Sequence, residues 1–310
     1  MREALVLLTT PFQAALAKKV LAAERISLFD VLYVTHNDSE EDRRYFNRLS
    51  TLASRSEYIV VRQGFSDFLS SLQTILTIRK RFSLPTYDAV LLASLDSYVF
   101  AWLTAKNTSQ LISFDDGIAN FLKNGFFCRE REDIRPRLYR MLLDIPSMGQ
   151  LIDSVSRHYS LYPQQENIVD KFKVRGLSIS MHVPVETNAA IKTFFVGQPF
   201  EEYMSTGQMA SLRDFAHSML IDYYVPHPRE KSSMEVGAAR LSKNGMLAEE
   251  AIIKAANGSR IRVIGGISTT LFNLAPYSNS QLMLVPAALT GYESVLSLAR
   301  RIGIEVIFLD

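Results

Sequence analysis

The stretch Ala4-Leu5-Val6-Leu7-Leu8-Thr9-Thr10-Pro11-Phe12-Gln13 decides how the chain folds. Residues 4–8 form an unbroken apolar run, the pattern of a strand covered on both faces rather than one with a wet side. Thr10 then offers an N-cap oxygen, and Pro11 takes the first helical position, where a missing N–H costs nothing. A helix is predicted over residues 12–23. A doubly covered strand that feeds a helix is the first half of a βαβ unit, and the same alternation recurs downstream.

Apolar runs at 29–35 and 58–62 give further strands, with a charged helix at 40–54 between them. A helix at 65–82, a strand at 88–93, a helix at 97–105 and a strand at 111–114 continue the series. Residues 129–173 break it, being arginine-rich, helical in pattern and interrupted by Pro136, Pro146 and Pro163; residues 173–183 read as an irregular or strand-like connection. The alternation resumes with a strand at 193–196, a helix at 207–219, a strand and turn within 221–230, and a helix at 237–256 closed by Gly258 as a left-handed cap. Strands at 262–264, 281–286 and 305–309, the last two joined by a helix at 292–301, complete it. The predicted fold class is α/β with two Rossmann-type sheets: an N-terminal domain 1–128, a helical insertion or linker 129–190, and a C-terminal domain 191–310.

The 310 residues are 47% hydrophobic and 21% charged, with 34 Lys and Arg against 32 Asp and Glu and a net charge of +2. That balance lacks the basic footprint of a general nucleic-acid binder. Arg79-Lys80-Arg81 and the arginines of 129–173 read as solvated surface, or as a contact for an anionic acceptor or membrane. The single cysteine, Cys128, forms no internal disulfide; His36 follows a first-domain strand where it could line the cleft, while His158, His182 and His217 match no metal-ligand spacing. Residues 4–8 are too short for a signal-peptide core or a span, so a cytoplasmic protein, peripheral on the inner membrane face at most, is expected.

Three motifs carry chemistry. Asp115-Asp116-Gly117 sits at the carboxyl end of a predicted strand, the edge where open α/β sheets bind ligands; it also suits a simple Asx turn. His227 is clamped between Pro226 and Pro228 and so held extended at a strand end, with Arg229 beside it as a second cation for an anionic ligand. Gly265-Gly266-Ile267-Ser268-Thr269-Thr270 passes from strand to helix, where free N–H groups and hydroxyls suit a phosphate, although the same pattern serves as a plain helix cap. Neither a P-loop lysine nor a full G-x-G-x-x-G is present. His227 and the Ser268 turn are expected on neighbouring strands. Together, a carboxylate in one domain and anion donors in the other suggest group transfer from an activated nucleotide to a hydroxyl.

Phe114-Asp115-Asp116-Gly117, Tyr224-Val225-Pro226-His227-Pro228-Arg229-Glu230 and Gly266-Ile267-Ser268-Thr269-Thr270-Leu271-Phe272-Asn273-Leu274 together resemble bacterial sialyltransferases, specifically glycosyltransferase family 52, the lipooligosaccharide sialyltransferase group. Thr10-Pro11-Phe12-Gln13 and Gly197-Gln198-Pro199 share the resemblance, and the motifs keep their order over most of the chain. The resemblance implies a GT-B-like fold, two Rossmann-type domains facing a central cleft. It further implies inverting transfer from CMP-sialic acid to a terminal galactose of a surface glycan such as lipooligosaccharide or capsule, with no cofactor and no metal; the alternatives are a related glycosyltransferase that uses another nucleotide sugar and a non-catalytic nucleotide- or glycan-binding protein on the same scaffold. The acceptor side would fall on Thr10, Gln13, Asp115 and Asp116. CMP and its phosphate would fall on Gly197, Gln198, Pro199, His227, Pro228, Arg229, Gly266, Ser268, Thr269 and Thr270. His227 would serve the leaving phosphate, and the base would be Asp116 or, from the second domain, Glu201 or Glu202. Asp222 is set aside as lying within the strand itself. A homodimer is the expected assembly.

Overall fold

The computed structural model describes residues 2–61, 67–82, 86–107, 110–121, 134–178, 189–230, 234–287 and 290–310. Cys128, His182 and the start of the helix expected at 65 lie outside them. The chain divides into two units, residues 1–179 and 180–310.

The N-terminal unit runs β1 (Glu3–Leu8), α1 (Pro11–Ala23), β2 (Leu28–Thr35), α2 (Glu40–Ser50), β3 (Arg55–Val60), α3 (Asp67–Arg81), β4 (Ala89–Leu92), α4 (Tyr98–Asn107), β5 (Leu111–Phe114), α5 (Ile134–Leu143), α6 (Met148–Ser154), β6 (Val155–Ser160) and β7 (Val174–Gly176). Its sheet is ordered β3-β2-β1-β4-β5-β6-β7, and every pairing is parallel. Leu5, Leu7, Leu32, Val90 and Phe100 are core residues. As the opening stretch requires, residues 4–8 of β1 are fully buried. The Thr10 hydroxyl caps α1 by accepting the Gln13 N–H, with Pro11 in the first turn.

The C-terminal unit runs β8 (Ile191–Val196), α7 (Thr206–Ser218), β9 (Tyr223–Val225), β10 (Ala239–Arg240), α8 (Ala248–Ala256), β11 (Arg260–Gly265), α9 (Thr269–Leu274), β12 (Ser280–Pro286), α10 (Glu293–Arg301) and β13 (Glu305–Leu309). Its sheet is ordered β10-β9-β8-β11-β12-β13, again parallel throughout. Counted from its own first strand, this is the 3-2-1-4-5-6 order of a doubly wound nucleotide fold, and the N-terminal sheet starts the same way. Phe195, Phe200, Leu212, Tyr224 and Ile264 pack its core.

Three expectations need correction. The segment 129–190 is not a helical linker, because β6 pairs with β5 and β7 with β6. The N-terminal unit therefore runs to residue 179, not 128. The strand was hidden in the sequence because Arg157, His158 and Ser160 of β6 break its apolar pattern. The last two are buried and find hydrogen-bond partners on or just after β5. The strand expected at 58–62 instead starts at Arg55, whose guanidinium is neutralised by buried Asp30 of β2 at 2.5 Å. The helix expected at 237–256 is confined to α8: Gly237 has φ 69°, and Asn244 and Gly245 are left-handed in succession, so the chain makes β10 and a turn before the helix.

Candidate active site

In a parallel sheet of this order, ligands bind at the carboxyl edge where the strand order reverses. In the C-terminal unit that point lies between β8 and β11. The turn after β8 is Gly197-Gln198-Pro199, and the turn after β11 is Gly266-Ile267-Ser268. Gln198 ties them together by donating from Nε2 to the Ile267 carbonyl at 2.6 Å, while its Oε1 accepts the Tyr203 hydroxyl at 2.8 Å. Gly266 lies against this group: a side chain there would run into Gln198 Oε1 and the Tyr203 hydroxyl. Ser268 caps α9 through the Thr270 N–H.

His227 follows β9, which pairs with β8 and not with β11. The two anion-binding motifs thus flank the Gly197 turn rather than sitting on adjacent strands. Residues 227–230 form a β-turn closed by Glu230 N–H to the His227 carbonyl at 3.2 Å, with Pro228 at its second position. His227 Nδ1 accepts the Arg229 N–H at 3.1 Å, so the neutral ring carries its proton on Nε2. Burial, followed by the charges of Arg229 and Lys243, holds its pKa down at about 4. The ring is therefore neutral near pH 7. Burial is the larger cause of that shift, and the smaller one, the charge of Arg229 and Lys243, is the part that also attracts an anion. Arg229 and Glu202 are exposed and 3.8 Å apart, a weak surface pair. Glu201 and Glu202 are exposed on the short turn that follows Pro199.

In the N-terminal unit, the two carboxylates after β5 separate in role. Asp115 is buried and faces β6. Its Oδ1 lies 3.1 Å from His158 Nε2, and its Oδ2 accepts the Ser160 hydroxyl at 3.0 Å and the Leu161 N–H at 2.7 Å. Asp116 is only partly buried and turns toward the switch point between β1 and β4. Gln13 Nε2 donates to its Oδ1 at 2.8 Å, and the Ser94 hydroxyl donates to its Oδ2 at 3.1 Å. Burial pushes the Asp116 pKa up; the nearby charges of Asp96 and Asp115 add to this, while the bonds from Gln13 and Ser94 oppose it. Of the expected acceptor-side residues, Gln13 and Asp116 meet directly, Thr10 acts as the cap of α1, and Asp115 supports the turn.

Asp222 lies at the amino end of β9, its carboxylate taken by the Thr193 N–H at 2.7 Å, away from the carboxyl edge. Several contributors escaped the sequence reading. Ser94 and Asp96 follow β4, and the edge rule applied to that strand would have found them. Asn120 accepts the Asp116 N–H at 2.6 Å. Buried Glu249 of α8 accepts from Asn273 of α9 at 2.8 Å, tying the two helices together; its pKa is raised by burial. Among the described residues, no group of three or more His, Cys, Asp and Glu could hold a metal ion, and no helix is long and apolar enough to cross a membrane.

The chain is 24% identical over 296 residues to an N-acetyllactosaminide alpha-2,3-sialyltransferase of Haemophilus influenzae, covering 93% of this chain and 94% of the relative. It is 24% identical over 311 aligned positions to a CMP-N-acetylneuraminate:beta-galactoside alpha-2,3-sialyltransferase of Pasteurella multocida, covering 98% of each. Among solved structures, it resembles the glycosyltransferase UGT89C1 of Arabidopsis thaliana complexed with UDP, with TM-score 0.57, 10% identity, and 99% and 85% of the two chains covered. The glycosyltransferase of kitacinnamycin superposes with TM-score 0.55 at 13% identity, over 99% and 86% of the two chains. These neighbours establish the fold class as GT-B, with two parallel-sheet Rossmann-like units. The family model of glycosyltransferase family 52 matches residues 28–289, and the chain belongs to that family of glycosyltransferases.

Proposed function

We propose that this glycosyltransferase moves sialic acid from CMP-sialic acid to the hydroxyl of a terminal galactose, with inversion at the anomeric carbon. The observation that carries the reading is the convergence, on one sheet edge of the C-terminal unit, of the His227 Nε2–H, the Gly197 turn and the Ser268–Thr270 turn, in surroundings made positive by Arg229 and Lys243. The names of the relatives from H. influenzae and P. multocida support sialyl transfer, and the second supports the donor and the galactoside acceptor.

In this reading the acceptor hydroxyl gives its proton to a carboxylate as its oxygen bonds to the anomeric carbon. The bond from that carbon to the phosphate oxygen breaks, and its electron pair leaves on CMP. The His227 Nε2–H, Arg229 and the donors of Ser268–Thr270 stabilise the charge gathering on the phosphate, which leaves no step that calls for a metal. A bound phosphate anion raises the ring's proton affinity from its low resting value, so with the donor in place His227 takes up a proton more readily and holds it against the leaving phosphate. Asp116 is the base we favour, because its pKa is already raised toward working pH and Gln13 and Ser94 fix its oxygens. Glu201 and Glu202 are the alternatives within the C-terminal unit.

Thermal shift against CMP, UDP and ADP tests the donor. CMP alone should stabilise the protein, by about 2.7 kcal/mol at about 100 times its Kd; stabilisation by UDP instead overturns the assignment. Release of CMP from CMP-sialic acid, dependent on added lactose, tests the transfer. Absence of turnover across a panel of galactosides refutes it.

A further inference from the structure

We propose that Glu230 is the positioning residue of the donor site: wedged between Gly197 and Tyr224, its carboxyl group grips the His227 backbone and sets where the ring presents its Nε2–H. The inference rests on the assignment of His227 to the donor phosphate and assigns a residue that acts through it.

A β-turn with proline at its second position is already closed by the Glu230 N–H to the His227 carbonyl, and such a turn needs no buried carboxyl group. This one has it. Glu230 Oε1 reaches back to accept the His227 N–H at 3.2 Å, and it packs beside the Tyr224 hydroxyl against Gly197. The turn is thereby fastened to β9, because Tyr224 is a strand residue and is buried. It is fastened to β8 as well. Gly197, hydrogen-bonded to the Val225 carbonyl at 2.9 Å, lies so close that a Cβ there would fall on Glu230 Oε1 and on the Tyr224 hydroxyl. The glycine of the Gly197-Gln198-Pro199 motif therefore makes room for the glutamate of the histidine motif, which links two elements far apart in sequence.

Glu230 Oε2 is buried and has no hydrogen-bond partner among the described residues. A dry, unpartnered oxygen disfavours the charged form. Burial raises the Glu230 pKa, and Glu201 pushes the same way, while Tyr224, the His227 N–H and Arg240 oppose it. A neutral group that keeps the Oε1 acceptor thus suits the seat, and glutamine has that shape.

The test is a double-mutant cycle read by CMP affinity in calorimetry, with wild type, Glu230→Ala, His227→Ala and the double variant, and Glu230→Gln alongside. His227→Ala should weaken CMP about tenfold, and Glu230→Ala nearly as much on its own yet less than about twofold on top of His227→Ala. Glu230→Gln should stay within about twofold of wild type, and Gly197→Ala, which evicts the carboxyl group without removing it, should copy Glu230→Ala. If Glu230→Ala fails to fold, Glu230→Asp, which withdraws the carboxyl group by one methylene, takes its place in the cycle. Equal losses in both backgrounds, or no loss in the wild-type background, overturn the positioning role while leaving the donor site intact. No loss in His227→Ala overturns the donor-site reading itself, and the inference falls with it.

Discussion

In the N-terminal unit the turn after β5 ends in two carboxylates, and the side chains that meet them are amide, hydroxyl and imidazole groups. In the C-terminal unit the turns after β8, β9 and β11 present glycines, a neutral histidine and hydroxyls beside Arg229 and Lys243. Both sheets place these groups at the carboxyl edge, and both share the same core strand order. The scaffold decides where a site forms, and a few turn residues decide its sign. On the proposed function, one edge would take the proton of a hydroxyl and the other would hold an anionic leaving group. Within the N-terminal turn the contrast recurs at a smaller scale, since adjacent carboxylates point to different neighbours and take different tasks.

The sharpest way to break the comparison is at Asp116. Removing its basicity with Asp116→Asn should lower kcat by about 10²–10⁴, with CMP affinity and the far-UV circular dichroism spectrum unchanged. The same assay on Glu201→Ala should show little change. If the losses are reversed, both halves of the chemistry reside in the C-terminal unit and the division between the edges fails.

Asp115, one residue away, should behave in the opposite manner. Its carboxylate accepts from Ser160 and from the Leu161 N–H and lies against His158, all of them on or just after β6. Asp115→Ala strands these buried polar groups and should cost about 3 kcal/mol in urea unfolding, the scale of leaving such groups without a partner. The KM for donor should not move. A loss of kcat as large as that of Asp116→Asn, without loss of stability, would place both carboxylates in the chemistry.

Much of this layout was legible in the chain. The buried run at 4–8, the Thr10 cap and the alternation of strand and helix define both sheets, because short apolar runs that stop at turn residues or helix caps fit doubly covered parallel strands. The candidate site was legible where a motif forces the backbone, as Pro226 and Pro228 do around His227. It was illegible where a polar side chain is satisfied by a distant partner. His158 and Ser160 read as loop or helix residues because nothing local announces that Asp115 and Ser113 will meet them. Glu230 stood in the quoted motif, yet its contact with Gly197 spans two strands and leaves no periodic trace. The Gly237 and Asn244-Gly245 breaks were visible as residues but were overridden by an apparently helical run that the left-handed turns cut short.

The smallest expected effect concerns pH, where the two edges should pull in opposite directions. His227 is held at about 4 against an ordinary 6.5. Between those values the unfolded chain takes a proton that the folded chain refuses, so its contribution is present above about pH 6.5 and is lost as pH falls toward 4. The Asp116 carboxyl is raised above its ordinary 3.8, so its contribution is full below that value and is lost as pH rises through the folded pKa. The measurement is the difference in Tm between about pH 7 and about pH 4.5. His227→Gln should shrink that difference relative to wild type, because it removes an acid-side loss. Asp116→Asn should widen it, because it removes an acid-side gain. Saturating CMP should act like His227→Gln in the wild-type protein, since a bound phosphate lets the folded ring keep its proton. Shifts of the same sign in both variants would mean that the opposed environments of the two edges do not reach these groups.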